Sequence, residues 1–117
     1  LQPLPVRQGY SACSVALVDG ESAITADQGM FQALRTKGFA VLLIRPGHIA
    51  LPGYDTGFIG GCCGKLAPDK LAFAGALSSH PDGERMREFL HSRGVAPVEL
   101  REGPLVDVGG ILPLRER

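Results

Sequence analysis

Tryptophan is absent from the 117 residues, and aromatic side chains make up only 6% of them. Val, Leu, Ile and Ala must therefore fill the core of a chain whose hydrophobic fraction, 44%, is that of an ordinary packed domain. A charge surplus is missing too, because 12 basic and 12 acidic residues cancel and no Lys/Arg cluster occurs outside the tail at 115–117. Since nucleic-acid binding depends on a basic patch, we predict no nucleic-acid partner.

Long apolar runs are also lacking. None approaches the roughly 20 residues that cross a bilayer, and no signal-peptide pattern opens the chain, so no membrane partner is predicted. Only three cysteines are present, and Cys62 and Cys63 are adjacent, which is poorly suited to a disulfide framework and favours a reducing, cytoplasmic location. The chain opens at Leu1 rather than Met, which is compatible with a truncated polypeptide.

What the chain does contain is a strand-strand-helix-strand pattern in its first half. A short apolar run at 14–18 predicts a strand, and Asp19-Gly20 favours a two-residue hairpin turn in which both central residues have positive φ. Segment 22–25 is the returning strand. Asp27 and Gly38 are typical caps of a helix from about 28 to 37, and an apolar strand follows at 39–44.

The same order of elements recurs in the second half. We predict a strand around Phe58-Ile59, a turn at Pro68-Asp69, a returning strand at 70–74, a helix from about 83 to 93 that Gly94 ends, and strands at 95–100 and 105–112. The sequence therefore predicts an α/β (α+β) domain over 1–117, with repeat units at about 11–50 and 55–114. A single unit cannot bury both faces of its small sheet, so neighbouring units must complete the core.

The glycine-rich stretch at 56–61 is similar to a dinucleotide-binding turn. Such a turn requires a buried strand before it and an immediate helix after it, and Pro68 leaves no room for that helix. Gly60 and Gly61 instead indicate a close approach of backbone to backbone or to a ligand. Cysteine and histidine pairs at chelating spacings do not occur, so neither a metal nor a cofactor is predicted.

The vicinal cysteines allow two interpretations. If both lie on a strand they point to opposite faces, and each is either a small buried side chain or a nucleophile. In the second interpretation Cys63 or Cys62 attacks the substrate and His80, which precedes the second helix, moves protons. Candidate substrate-binding carboxylates at strand ends and turns are Asp55, Asp82 and Asp107, although Asp82 is equally suited to capping a helix.

With the repeat in view, the chain resembles the pentein, or guanidine-modifying-enzyme, fold, and more closely the C-terminal half of a bacterial family of uncharacterised proteins with that fold. The residues that carry the resemblance are Gln8-Gly9-Tyr10, Cys13-Ser14, Pro46-Gly47-His48-Ile49, Gly57-Phe58-Ile59-Gly60-Gly61, Gly64-Lys65, His80-Pro81-Asp82 and 107–114. The resemblance implies blades around a polar central cavity, arginine-like substrates, and a Cys, a His and carboxylates as the catalytic groups. In those enzymes the cysteine follows the histidine, whereas here no cysteine follows His80.

Two functions of different class remain open. One is a pentein-like domain that binds a small polar molecule, guanidino- or amino-acid-like, without covalent catalysis. The other is a cysteine-dependent hydrolase or amidinotransferase-like enzyme acting on a guanidino or amide compound. In either case we expect the two blades to be incomplete, so that self-association or a missing N-terminal portion completes the fold; a purely structural blade pair is a third possibility.

Overall fold

The first half of the chain folds into a three-stranded sheet with one helix. The computed structural model describes residues 14–50, 57 and 59–108. Strand β1 (Val15–Asp19) pairs antiparallel with β2 (Ser22–Thr25), and β2 pairs parallel with β3 (Ala40–Leu43). The β2–β3 connection contains helix α1 (Gln28–Thr36). All four residues of β2 are buried, as expected of a short apolar strand at the centre of a sheet.

The hairpin turn differs from the sequence prediction. Asp19 pairs with Ser22, so the two central residues are Gly20 and Glu21 rather than Asp19 and Gly20, and neither has a positive φ. The Asp19 carboxylate determines the turn instead, because Oδ1 accepts hydrogen bonds from the Glu21 backbone N–H (2.8 Å) and the Ser22 hydroxyl (2.7 Å). An Asx-type turn of this kind does not require glycine in a left-handed conformation.

Both predicted caps of α1 are confirmed. The Asp27 carboxylate accepts hydrogen bonds from the backbone N–H groups of Gly29 (2.8 Å) and Met30 (3.2 Å), which would otherwise lack partners at the start of the helix. Gly38, with φ 93°, turns the chain out of the helix. The buried face of α1 consists of Met30 and Leu34, which fixes the helix against the sheet.

The second half repeats this arrangement. Strand β4 (Cys63–Ala67) pairs antiparallel with β5 (Lys70–Phe73), which pairs parallel with β6 (Ala96–Glu99), and helix α2 (Gly83–Ser92) connects β5 to β6. The prediction of a strand at Ile59 is wrong. Residues Ile59–Cys62 form a 3₁₀ helix, and the strand begins only at Cys63; Phe58 lies outside the described residues.

The two sheets are equivalent in pairing as well as in order. In both hairpins the register shifts at the same place, between Leu17 and Asp19 in the first and between Lys65 and Ala67 in the second. The connections differ in one respect. Residues 26 and 27 separate β2 from α1, whereas 74–82 separate β5 from α2 and include a 3₁₀ helix, Leu77–Ser79. This longer connection carries His80 and Asp82.

The two units share one hydrophobic core, and their equivalent segments run side by side. Ala50, which follows β3, forms a parallel bridge with Val106, which follows β6, through Ala50 N–H to Leu105 O (2.9 Å) and Asp107 N–H to Ala50 O (2.8 Å). The residues of this core come from both sheets, from α2 and from the connecting segments. The strand predicted at 105–112 is limited to this bridge within the described residues, and 109–112 lie outside them.

The fold is thus a small mixed α+β globule with two three-stranded sheets and two α-helices in the described part of the chain. No helix within residues 14–50 and 59–108 is long and apolar enough to span a membrane.

Candidate functional site

A pocket of about 190 Å³ lies where the two units meet. Its lining combines residues next to β1, α1 and β3 in the first unit with residues just before β4 in the second: Ser14, Ala26, Asp27, Arg45, Pro46, Gly47, Ile49, Gly57 and Ile59. At about 30 Å³ for each water molecule, the volume corresponds to roughly six waters. The pocket is therefore small.

Arg45 and Asp27 bring opposite charges to this pocket. The Arg45 side chain is 67% exposed, and its Nε lies 3.8 Å from the buried Asp82 carboxylate. Asp82 therefore orients the guanidinium, which remains accessible to solvent. Asp27 accepts both hydrogen bonds that cap α1 with Oδ1, and Oδ2 takes no part in them. The remaining walls, including Ile49 and Ile59, are largely apolar, which is the usual composition of a small-molecule site with a few orienting polar groups.

His80 joins the second unit to the loop that carries Arg45. The side chain is 3% exposed, its Nδ1 accepts the Asp82 backbone N–H (2.9 Å), and its Nε2 lies 3.1 Å from the Arg45 carbonyl oxygen. An amide can only donate and a carbonyl can only accept, so Nδ1 carries no proton and Nε2 carries one. Burial lowers the pKa of His80 and outweighs the Arg45 carbonyl and the Asp82 carboxylate, which raise it; the charges of His48 and Arg45 also lower it.

Asp82 holds the same loop from the other side. Its side chain is 2% exposed and makes no capping bond to α2, although it stands at the N-cap position. Oδ2 instead accepts the Arg45 backbone N–H (2.8 Å), and Oδ1 accepts from the Arg85 guanidinium (3.2 Å). Burial alone would raise the pKa of Asp82, but these donors outweigh it and the pKa is lowered.

The two adjacent cysteines are both buried, in agreement with the interpretation of each as a small buried side chain. Cys62 ends the 3₁₀ helix and Cys63 begins β4, so strand alternation does not apply between them. Both thiols lie 3.2 Å from the carbonyl oxygen of Ile59, to which they donate. Desolvation raises the pKa of Cys62, with Cys63 and Asp107 adding to the effect, and raises the pKa of Cys63 to about 12. Reactive thiols have lowered pKa values.

Asp107 is buried against the glycine-rich segment. A Cβ atom built on Gly61 would lie 1.9 Å from Asp107 Oδ1, and one built on Gly57 would lie 2.4 Å from Asp107 Cβ. These two glycines are needed because an aspartate side chain fills the space that their own side chains would occupy. The close approach predicted for Gly61 is thus an approach of a side chain, whereas Gly60 is only part of the 3₁₀ helix, half-buried.

The candidate residues from the sequence fall into two groups. Cys62, Gly61 and Asp107 lie together, and His80 lies with Asp82 beside the Arg45 loop. The thiols bond the Ile59 carbonyl, and the imidazole bonds Arg45 and Asp82, so these bonds do not join a thiol to the imidazole. Asp55 lies outside the described residues. Among described residues, no group of three or more His, Cys, Asp and Glu side chains could hold a metal ion.

Sequence reasoning missed Arg45 and the role of Asp27 in the pocket. A signal for Arg45 was available: it stands between an apolar strand and the stop at Pro46-Gly47, and Arg101 stands at the corresponding place between β6 and Gly103. The glycines that follow both arginines have positive φ, 86° at Gly47 and 93° at Gly103. The Arg45 backbone is bonded by the side chains of His80 and Asp82, which belong to the β5–α2 connection of the second unit.

The chain is a small mixed α+β domain with a pocket between two equivalent units, where Arg45 and Asp27 stand among largely apolar walls. Residues 1–112 match a family described as a family of unknown function, DUF6873, and the chain belongs to that family. No curated protein matches the chain, and no solved structure does so either.

Proposed function

We propose that the chain supplies two blades of a pentein-like propeller, and that the pocket between them binds a small polar molecule of the amino-acid or guanidino class without covalent catalysis. The support for the fold is that each unit is a β-β-α-β element whose first pair is antiparallel and whose second pair is parallel. The bridge between Ala50 and Val106, at corresponding places after β3 and β6, is the contact expected when blades repeat side by side.

One observation carries the binding proposal: Arg45 and Asp27 both line a pocket with apolar walls where the units meet. A guanidinium offers a planar pair of donors that suits a carboxylate. The second oxygen of Asp27 can accept from an ammonium or a guanidinium group, while Ile49 and Ile59 contact the aliphatic part. A zwitterionic molecule fits this arrangement better than a ligand with charge of one sign.

The cysteine-dependent alternative has less support. Both thiols are buried with raised pKa values, and both nitrogens of His80 are already bonded to backbone groups. Nucleophilic catalysis needs a thiol and a base within hydrogen-bond reach of each other. The two candidates for these roles have other partners.

We also propose that further blades complete the core, either as other copies of this chain or as a preceding portion of the same polypeptide. When two different faces of a repeating unit contact each other head to tail, successive units can be added until a ring closes. This part of the proposal is tested by the mass of the protein in solution, since a ring of copies has several times the mass of one chain.

The binding experiment uses thermal shift and calorimetric titration with L-arginine, which carries a carboxylate and two cationic groups, and with agmatine, which lacks the carboxylate. We expect L-arginine to stabilise the wild type. Arg45→Gln should weaken L-arginine binding by about tenfold or more, the value of one charge-assisted hydrogen bond, and should leave the weaker binding of agmatine unchanged.

Two control variants make this test specific. Asp27→Asn retains a side chain that caps helices well, so α1 should stay folded. Because the variant lacks the negative charge, it should bind both ligands more weakly. Arg101→Gln removes an exposed arginine from the corresponding place in the second unit and should bind both ligands like the wild type. The proposal fails if neither ligand stabilises the wild type, or if Arg45→Gln and Arg101→Gln have the same effect.

A further inference from the structure

The backbone of Arg45 is held at two points by one short segment of the other unit. The Arg45 N–H donates to Asp82 Oδ2 (2.8 Å), and the Arg45 carbonyl accepts from His80 Nε2 (3.1 Å). The Nε of its side chain lies 3.8 Å from the same carboxylate. We call this set of contacts, made by His80 and Asp82 on Arg45, the Arg45 clamp. It belongs to the longer β5–α2 connection, which the first unit lacks.

The arrangement of His80 in the Arg45 clamp requires a neutral imidazole. Nδ1 accepts the Asp82 N–H, so a proton on Nδ1 would place two donors face to face at 2.9 Å. The titratable and charged groups that face His80 are Asp82 from its own segment, and Arg45 and His48 from the loop after β3. The His48 ring is 5.5 Å from that of His80.

Burial is the main obstacle to the new charge, because the side chain is almost fully buried. The Arg45 carbonyl and Asp82 favour a charged imidazole, but the Asp82 carboxylate is already bonded to the Arg45 N–H and the Arg85 guanidinium. The charges of His48 and Arg45 add to the effect of burial. The protonated imidazole is therefore accommodated by rotating away from the Asp82 N–H and releasing the Arg45 carbonyl.

We infer that His80 is a pH-dependent positioning residue for Arg45: the neutral imidazole fixes the pocket wall at Arg45, Pro46 and Gly47, and protonation releases it. This assigns His80 a task other than proton transfer to a substrate. The release of the wall is a property of the fold alone, whereas its effect on a ligand rests on the proposed function.

Hydrogen exchange of the Arg45 amide, followed by NMR, tests the release directly. Opening takes up one proton, and an opened histidine has the ordinary pKa of 6.5. The opening constant of the Arg45 amide, corrected for intrinsic exchange, should therefore rise about tenfold between about pH 7.5 and about pH 5.5. The amides of Ala50 and Asp107 also join the two units but have no histidine partner; their opening constants should stay constant.

Three variants separate His80 from the other histidines. His80→Asn retains an acceptor for the Asp82 N–H, as in an Asx turn, and lacks the ring that reaches Arg45, so its Arg45 amide should exchange faster and without pH dependence. His91→Asn, at an exposed position of α2, should behave like the wild type. His48→Asn, at a residue with φ 67° that asparagine tolerates, should retain the pH dependence.

The inference is overturned if Arg45 exchange in the wild type shows no pH dependence, or if His80→Asn retains it. The imidazole ¹⁵N shifts of the wild type provide a test that needs no variant: at about pH 7.5 they must show the proton of His80 on Nε2, and a proton on Nδ1 contradicts the inference. For the ligand, L-arginine should bind more weakly at the lower pH in the wild type, by at most the tenfold change in opening, and should bind equally at both pH values in His80→Asn. If L-arginine does not bind at all, the proposed function fails while the exchange result still decides the role of His80.

Discussion

Replacing Gly61 by alanine isolates the contact between the glycine-rich segment and Asp107. The new Cβ would lie 1.9 Å from Oδ1 and 2.3 Å from Cγ of Asp107. Oδ1 must therefore move by roughly 1 Å or more to reach even a tight contact, and the aspartate is buried. Overpacking of this kind lowers the free energy of unfolding by about 1–3 kcal/mol. For Gly61→Ala we expect a value near the upper end, about 3 kcal/mol. The φ of Gly61 is not in the left-handed region, so backbone strain adds nothing.

The assay is urea unfolding of single and double variants. For a domain of this size, the free energy of unfolding lost in Gly61→Ala corresponds to a fall in melting temperature of roughly 10 °C. Asp107→Ala removes the atoms that collide with residue 61, so the double variant with Gly61→Ala should be more stable than additivity predicts by about 2 kcal/mol.

Gly57 provides the matched control for this coupling. A Cβ at Gly57 would meet Asp107 Cβ at 2.4 Å, an atom that alanine retains, so Asp107→Ala should rescue Gly57→Ala much less. Equal rescue of both glycine variants, or additivity at Gly61, would refute the assignment of Gly61 as space for the Asp107 carboxylate.

Two further predictions concern the thiols and Asp82. In a Cys13→Ser background, Cys62 and Cys63 should react with a disulfide reagent at neutral pH far more slowly than free cysteine, because burial raises the pKa of both thiols. Both should react fully after unfolding. Fast labelling of either thiol in the folded protein would favour the enzyme alternative. Asp82→Asn should cost about 1.5–3 kcal/mol at neutral pH, since it removes charge-assisted hydrogen bonds to a buried group. Because the pKa of Asp82 is lowered from 3.8, its contribution is present above about pH 3.8 and is lost as the pH falls through the folded value, so urea unfolding of the variant should show a flatter acid limb than the wild type.

Local signals in the sequence were enough to locate most elements of the fold. Asp27 and Gly38 limit α1, and Gly94, with φ 73°, ends α2, because capping depends on a few adjacent residues. The error at Ile59 has a physical cause. A short apolar run adopts either a strand or a helical turn, and here the tertiary contacts of Gly57 and Gly61 with Asp107 decide between them.

The site was predicted less well, because it depends on contacts between residues distant in the chain. Arg45 is 37 residues from Asp82 and 35 from His80, so no local pattern reveals the clamp. Asp82 was correctly placed at the start of a helix, yet its carboxylate bonds the other unit rather than its own helix. The strand alternation considered for Cys62 and Cys63 does not apply, because the strand begins between them.

The binding of a small polar molecule at the junction of the two units is tested most directly by titrating L-arginine into the ¹⁵N-labelled protein. Gly47 and Gly57 line the pocket, whereas Gly38 and Gly94, which follow the two helices, are not among its lining residues. The account predicts that the amide signals of Gly47 and Gly57 shift in a saturable manner and that those of Gly38 and Gly94 remain in place. Shifts confined to the helix ends, or no shift at any of the four glycines, would contradict it.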